Sequence, residues 1–257
     1  MPRILPVDER VSWPAEEGTI GVVGVAPWAT LDFLKNLYGQ VSAQKDWHYP
    51  RVLCDINTKL PSRGRYLELG ERDPSPFIAE TIAELAQQGA TLVVVPCNTA
   101  HILYSSWALH APVAVPSIVD ASIAALGAAQ QVAVFASRSV YQHRLYERAL
   151  EASGRRFVAL DAQQIELVSA LISSVKTTGQ MPPALLAEMQ VLLQALAARD
   201  VTALILGCTE LTELQGLACR FLPCVVDSNA ALAREALRGI GFALEPNAPP
   251  HYKVEPV

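Results

Sequence analysis

Two short segments follow the same plan, and they constrain the fold more than any other feature of the sequence. Each begins with an aliphatic run, residues 92–95 or 203–206, and continues with Pro or Gly, a cysteine, and a threonine within two residues. An aliphatic run that stops at a polar turn is typical of a buried strand in a parallel sheet. The cysteines, Cys97 and Cys208, lie nearly half of the 257-residue chain apart. We therefore expect two similar halves that each present one cysteine to a shared cleft.

Strand-like and helix-like patterns alternate along the rest of the chain. Apolar runs predict strands at residues 19–25, 51–56, 91–95, 113–118, 131–136, 156–160, 201–206 and 224–228, and periodic apolar spacing predicts helices between them. Such alternation predicts parallel sheets with helices on both faces. The expected fold class is α/β, with two similar parallel-sheet domains and the active site in the cleft between them.

The repeated strand–helix order sets the expected domain boundaries. We assign residues 19–118 together with 225–243 to the first domain, because the last strand and helix are expected to return to it. Residues 119–224 form the second domain. Residues 1–18 are rich in proline and charge and are interpreted as a leader, and residues 244–257 as a mobile, proline-rich tail.

The composition argues against several classes of function. Hydrophobic residues make up 51% of the chain and charged residues 18%, as in globular proteins. A net charge of −5 without a basic stripe argues against a nucleic-acid partner. The first residues do not form a secretory signal, and the long uncharged stretch 91–119 is interrupted by three prolines, so no membrane partner is expected. We expect a cytoplasmic protein.

The five cysteines do not form a disulfide or metal pattern. Their number is odd, their spacing is wide and no CxxC pair occurs, which argues against a disulfide framework. Cys219 and Cys224 have no histidine nearby at zinc-finger spacing, so no metal site is expected. We interpret Cys54, Cys219 and Cys224 as small apolar side chains.

Cys97 and Cys208 together suit acid/base chemistry at a carbon acid. A single cysteine after a strand usually packs as a small apolar side chain, but two in matching polar turns favour catalysis. A thiol between a buried strand and a helix N-terminus is expected to favour the thiolate. One thiolate would remove an α-proton and the opposite thiol would return one, which inverts Cα. Donors at Asn98, Thr99 and Thr209 suit a carboxylate or an enolate-like oxygen.

Other polar residues have a structural explanation that competes with a functional one. The loop at 57–65 carries three basic side chains where parallel sheets bind ligands, although a solvated loop explains any one of them. His101 is expected to cap or pack locally rather than act as a base. Glu210 would either orient Cys208 or a substrate ammonium, or stabilise a helix N-terminus. Asp227 would either orient another group or cap a helix.

The segments VPCNTAH at 95–101 and LGCTEL at 206–211 resemble the two signature segments of the aspartate/glutamate racemase superfamily. Members of this superfamily act without pyridoxal phosphate. The resemblance covers residues 19–241 and implies two similar α/β domains, often in a dimer. It implies a cofactor-independent amino-acid racemase, with aspartate or glutamate as the first substrates to test and Cys97 and Cys208 as the acid/base pair.

Glu210 follows the Cys-Thr pair, and a glutamate at this position resembles the aspartate racemase branch. In that branch an arginine in a Pro-x-Arg loop and a lysine near a helix end hold the distal carboxylate, and Arg63 and Lys176 resemble these two residues. A bidentate arginine with a lysine suits a dicarboxylate. Asn57 is expected to line the same region, and Thr30, in the opening motif, is expected to bind substrate.

Two departures from the branch leave the substrate side chain open, and the first is the arginine loop, which reads SRGR at residues 62–65 instead of Asp-Arg-Thr. The opening segment reads GVAPWAT at residues 24–30, which is one residue shorter than the branch pattern and carries a tryptophan, Trp28. Two other functions also stay open: decarboxylation or cis–trans isomerisation of a small diacid on the same scaffold, and non-catalytic binding of a small acidic metabolite. Exchange of the α-proton with solvent deuterium separates these from racemisation.

Overall fold

A computed structural model of the protein describes residues 17–43, 45–242 and 244. The described residues form two sheets in which every strand pair is parallel, with strand orders β2-β1-β3 and β5-β4-β6-β7. The strands are β1 (Ile20–Gly24), β2 (Val52–Ile56), β3 (Leu92–Val94), β4 (Gln131–Ala136), β5 (Arg156–Phe157), β6 (Ala203–Gly207) and β7 (Val225–Asp227). The α/β class with parallel sheets is confirmed. The predicted leader and tail lie outside the described residues, apart from residues 17, 18 and 244.

Helices connect the strands. They are α1 (Pro27–Gly39), α2 (Arg63–Leu69), α3 (Ser75–Gln87), α4 (Tyr104–Ala108), α5 (Ile118–Ala124), α6 (Arg138–Gln142), α7 (Leu145–Ala152), α8 (Ala162–Thr178), α9 (Pro183–Ala197), α10 (Gln215–Ala218) and α11 (Ser228–Gly239). Short 3-10 helices lie at Asp46–His48, Thr99–Leu103 and Thr209–Leu214. No helix in the described part of the chain is long and apolar enough to cross a membrane.

Local sequence explains where helix α8 begins and ends. Asp161 and Gln164 form a reciprocal capping box at its start, with hydrogen bonds of 2.9 and 3.0 Å between side chain and backbone. Gly179 ends the helix with a φ of 70°, which a residue with a side chain rarely adopts. The last turn of α8 carries Lys176, so these two signals decide where that side chain lies.

The last strand does not return to the first sheet, so that part of the predicted domain division is wrong. β7 pairs with β6 at the edge of the second sheet, with Val225 opposite Leu204 and Asp227 opposite Leu206. The following helix, α11, does pack against α1 and β3 of the first unit. The edge of β6 is free to accept a strand, and a short apolar run does not specify which sheet edge it joins.

Three other predicted elements differ from the structure. The segment 113–118 makes a single bridge from Ala114 to Leu92 instead of a strand, since Pro112 and Pro116 lack an N–H donor. Arg63 lies at the start of helix α2, which Ser62 caps, and not within a continuous loop. The helix predicted at 141–153 is interrupted by the left-handed backbone of Arg144, whose φ is 53°.

Alternate residues of the strands pack on opposite faces of the sheets, and both sheets share one core between them. Two further apolar clusters cover the other face of each sheet. The shared cluster includes Ile20 and Val22 of β1, Leu92 and Val94 of β3, Val132 and Val134 of β4, and Ala203 and Ile205 of β6. The predicted domain boundary near residue 118 therefore stays a prediction, because residues on both sides of it belong to the same core.

Candidate active site

The Cys97 turn follows β3 and leaves its thiol partly exposed. The Cys97 N–H donates to the Val95 carbonyl at 2.7 Å, which makes the turn tight. A 3-10 helix, Thr99–Leu103, comes next, followed by the five-residue helix α4. These two short elements stand where a regular helix was expected directly after the thiol. The dipole of a regular helix therefore does not act on Cys97.

The buried His101 supports this turn through hydrogen bonds to backbone groups, and its ring is neutral. The Ile118 N–H donates to His101 Nε2 at 3.1 Å, so the proton lies on Nδ1, which donates to the Cys97 carbonyl at 2.9 Å. Burial lowers the pKa of His101 to about 4, against the opposing effect of these backbone hydrogen bonds. The expectation that His101 packs locally is confirmed, because both ring nitrogens are occupied by backbone groups.

Cys208 lies at the corresponding position after β6, and it is buried. Its Sγ donates to Glu210 Oε2 at 2.9 Å. Burial and the Glu210 charge raise the pKa of the Cys208 thiol well above its ordinary value, and the Lys176 ammonium opposes this only in part. The expectation of a thiolate is wrong for Cys208, because a buried carboxylate beside the sulfur favours the protonated form.

Glu210 connects Cys208 to Lys176. Its Oε2 also accepts a hydrogen bond from the Thr209 hydroxyl at 3.3 Å, and its Oε1 lies 3.8 Å from Lys176 Nζ. Burial alone would lower the pKa of Lys176, but the neighbouring acidic groups, Cys208, Glu210 and Cys97, raise it overall. One half-exposed ammonium therefore lies within electrostatic reach of both catalytic candidates.

Arg63 lies where the turns after β1 and β2 meet. Its guanidinium donates to the Val25 carbonyl at 3.0 Å and to the Pro61 carbonyl at 3.2 Å. The Nε of Arg63 is buried and has no partner among the described residues. The positive charge of Arg63 also acts on Lys176, so the two cations belong to the same region. An N–H group that is held in place but not paired is suited to an anionic ligand.

Trp28 connects the first unit to the end of helix α8. It is the second residue of helix α1, and its ring lies so close to Gly179 that a Cβ there would be 3.1 Å from Trp28 Cε2. The ring is nevertheless 46% exposed. Because Gly179 ends the helix that carries Lys176, the indole packs against the end of that helix.

The other predicted substrate-binding residues have partners within the protein. Thr99 Oγ lies 3.0 Å from Ser137 Oγ, and the buried Thr30 hydroxyl donates to the Ala26 carbonyl at 2.6 Å. Asn57 Oδ1 accepts from the Lys59 N–H at 3.0 Å and lies at the end of β2. Their contact with a substrate stays a prediction.

Asn98 is buried with both ends of its amide engaged. Its Nδ2 donates to Ser228 Oγ at 3.0 Å, and its Oδ1 accepts from the Tyr146 hydroxyl at 2.5 Å. The structure therefore gives this side chain a bridging position beside Cys97. A substrate contact through its remaining N–H stays a prediction.

Comparison with known proteins identifies the family. The model of the Asp/Glu/hydantoin racemase family matches residues 20–236. The chain belongs to this family. It is accordingly a racemase, an isomerase by reaction class.

Two curated relatives of the family cover most of this racemase. The broad specificity amino-acid racemase RacX of Bacillus subtilis (strain 168) is 24% identical over 230 residues, which are 85% of this chain and 96% of RacX. A glutamate racemase of Pseudomonas putida (strain F1) is 30% identical over 213 residues, which are 74% of this chain and 77% of that one.

Solved structures of family members share the fold. The Picrophilus torridus aspartate racemase superposes with a TM-score of 0.79 at 21% identity, covering 89% of this chain and 96% of that one. The glutamate racemase isoform RacE1 of Bacillus anthracis superposes with a TM-score of 0.64 at 19% identity, covering 91% and 86%. The two-domain α/β racemase fold is thus confirmed for this chain.

Sequence analysis of this racemase missed three buried polar residues that contact the cysteine turns: Tyr146, Ser228 and Asn229. Ser228 and Asn229 follow β7, so they occupy a strand-end turn on the same edge of the second sheet as Cys208. Their position directly after a strand could have identified Ser228 and Asn229 from the sequence. Nothing in the sequence around Tyr146, which lies within a helix, indicated a contact with the site. Asp227 caps the helix as one alternative predicted, since its Oδ1 accepts from the Asn229 N–H at 2.9 Å.

Two raised carboxyl pKa values predict pH-dependent stability of this racemase. Burial raises the pKa of Asp227 to about 6, and burial with the Glu213 charge raises that of Asp32 to about 6. Both values exceed the ordinary 3.8, so protonation favours the folded state. This contribution is fully present below about pH 4 and is lost as pH rises through about 6.

We therefore expect Asp227→Asn to remove part of the pH dependence of the free energy of unfolding between about pH 4 and about pH 7. Urea denaturation at a series of pH values measures it. Asp200→Asn, which changes an exposed carboxyl, serves as the control. A slope for Asp227→Asn equal to that of the unmodified protein would contradict the prediction.

Proposed function

We propose that this protein is a cofactor-independent racemase of an acidic amino acid, which inverts Cα between Cys97 and Cys208. The observation that carries the proposal is the common electrostatic environment of the two thiols. Both sulfurs lie near Lys176, whose Nζ is 3.8 Å from Glu210 Oε1 and which is also influenced by Arg63. Aspartate and glutamate are the first substrates to test.

The mechanism follows from the different surroundings of the two sulfurs. Cys208 is held as a thiol by Glu210, so it is the acid in this protonation state. The ionised Cys97 takes the α-proton, and the electron pair of the Cα–H bond moves into an enolate-like system. Cys208 then transfers its proton to the opposite face of Cα, which leaves Cys208 ionised and Cys97 protonated. The reverse reaction uses the same two groups in exchanged roles.

The charges around the thiols support an acidic substrate. Arg63 and Lys176 supply two positive charges, which favour a substrate that carries a second, distal carboxylate. We assign the distal carboxylate to Arg63 and Lys176, with Asn57 at the same strand edge. Thr99, Thr209 and Asn98, next to the thiols, are assigned to the α-carboxylate, and Thr30 to the wall of the site.

Proton NMR in deuterated water tests the reaction and the substrate together. We expect the α-proton signal of L-aspartate or L-glutamate to disappear as the D enantiomer forms. The RacX relative is a broad specificity amino-acid racemase, so the panel also includes neutral and basic amino acids. Absence of exchange with every amino acid would overturn the proposal and redirect the test to decarboxylation or isomerisation of small diacids.

Arg63 gives a test of the substrate class. A hydrogen bond to a charged group contributes about 1.5–3 kcal/mol, so Arg63→Gln should raise KM for the acidic substrate by about 10- to 100-fold. Arg65→Gln is the matched control, because the Arg65 guanidinium pairs with Glu71 on the surface. Steady-state kinetics measures both variants. An equal KM for the two would remove Arg63 from the substrate site.

We also propose a homodimer in the cytoplasm. Exposed apolar side chains lie around β2, which is an edge strand whose Cys54 and Ile56 are exposed. Burial of such a face in a second copy would cover an edge that otherwise invites pairing. All five cysteines are free, which agrees with a reducing compartment. Analytical ultracentrifugation decides between the monomer of 27.8 kDa and its dimer.

A further inference from the structure

We propose that the turn at the junction of β7 and α11, residues 227–229, positions the two cysteine turns relative to each other. The inference rests on the proposed function and goes beyond it, because it assigns a role to residues that do not touch the substrate. The turn is buried: Asp227 is 2% exposed, and Ser228 and Asn229 are fully buried. We refer to these three residues as the bridging turn.

The Ser228 hydroxyl connects the two turns directly. It donates to the Leu206 carbonyl at 2.7 Å and accepts from Asn98 Nδ2 at 3.0 Å. Asn98 directly follows Cys97, and Leu206 lies two residues before Cys208. A single buried hydroxyl therefore fixes the separation between the end of β6 and the turn after β3.

Asn229 holds the other side of the Cys208 turn. Its Nδ2 lies 3.4 Å from both the Thr209 carbonyl and Thr212 Oγ1, and Thr209 directly follows Cys208. The Asn229 backbone N–H is in turn held by Asp227 Oδ1. The bridging turn thus contacts the chain on both sides of Cys208 and, through Asn98, on one side of Cys97.

Tyr146 completes the support of Asn98. Its hydroxyl donates to Asn98 Oδ1 and lies 3.2 Å from Ser122 Oγ, which itself donates to the Ile118 carbonyl. With donor and acceptor ends both engaged, the Asn98 amide has one orientation. The network therefore links the bridging turn to an Asn98 side chain that is fixed in place, and through Asn98 to the backbone next to Cys97.

Loss of this positioning should impair inversion at Cα more than it impairs proton abstraction. Abstraction needs one sulfur near the α-proton, whereas inversion needs the second sulfur on the opposite face at the same time. A misplacement of about 1 Å costs on the order of 100-fold in rate. If the two turns lose their fixed separation, the carbanion returns more often to the face from which the proton left. Solvent exchange of the thiol proton then labels the substrate without inverting it.

Ser228→Ala tests this prediction in deuterated water. We expect the rate of inversion to fall by about 10- to 100-fold, while exchange of deuterium into the recovered starting enantiomer falls much less. The ratio of exchange to inversion therefore rises. Ser75→Ala is the matched control, because Ser75 is also a buried serine but its hydroxyl has no partner among the described residues. Ser228→Thr keeps the hydroxyl and should restore the ratio.

The outcomes separate the two proposals. If the unmodified protein exchanges no α-proton, the racemase proposal fails and this inference with it. If it racemises but Ser228→Ala keeps the original ratio, only the positioning role is overturned. Should Ser228→Ala fail to fold by circular dichroism, Tyr146→Phe, which removes the hydrogen bond to Asn98 Oδ1, provides the same comparison. An unchanged ratio in that variant would equally contradict the inference.

Discussion

Replacement of either Cys97 or Cys208 by serine should lower the rate of racemisation by about 10²- to 10⁴-fold and leave the fold intact. A serine hydroxyl fits either position but is far too weak an acid to exchange a proton with Cα at neutral pH. Chiral chromatography of the reaction mixture measures the loss. Each single variant should still exchange the α-proton of one enantiomer, because the remaining thiol still approaches from its own face.

The remaining cysteines provide the control for this experiment. Cys54→Ser and Cys219→Ser change exposed thiols outside the site and should retain full activity. If either control loses as much activity as the Cys97 variant, the assignment of the acid/base pair is wrong. Exchange of both enantiomers by a single catalytic variant would contradict the two-base mechanism and favour one base that serves both faces.

Glu210→Gln should lower the racemisation rate by about 10- to 100-fold and shift the ionisation of Cys208 to lower pH. Burial is the first cause of the raised pKa of Cys208 and the Glu210 charge is the second, so the amide leaves the burial in place and removes the charge and the carboxylate that accepts the thiol proton. The pH dependence of iodoacetamide labelling at Cys208, followed by mass spectrometry, measures the shift. The pH profile of kcat/KM should move in the same direction.

Glu213→Gln is the matched control for this variant. Glu213 lies on the same 3-10 helix, but it is exposed, and its charge acts on Asp32. It should therefore leave the labelling of Cys208 unchanged. A Cys208 that ionises at the same pH in the Glu210 variant as in the unmodified protein would show that Glu210 does not hold the thiol proton.

The strand–helix alternation was predictable, because aliphatic runs such as those before Cys97 and Cys208 have few alternatives to a buried parallel strand. The sheet that the last strand joins was not predictable, because β7 has three residues and could pair with either sheet. The bridge at Ala114 replaced a predicted strand for a reason that the sequence did contain, namely the flanking prolines.

The two thiols were predictable from local sequence, but their surroundings were not. The contacts from Asn98 to Tyr146 and to Ser228 join residues 48 and 130 positions apart. No local pattern indicates such pairs. The thiolate expected at Cys208 was wrong for the same reason, because the burial of that sulfur depends on the packing of the whole second sheet.

The core that both sheets share has a consequence for how substrates reach the thiols. In two bodies joined by a linker, a cleft opens by rotation, but here such a rotation would expose the apolar residues of β1, β3, β4 and β6 to water. We therefore expect substrates to reach the thiols through local side-chain movements, for which the half-exposed Trp28, packed against Gly179, is a candidate.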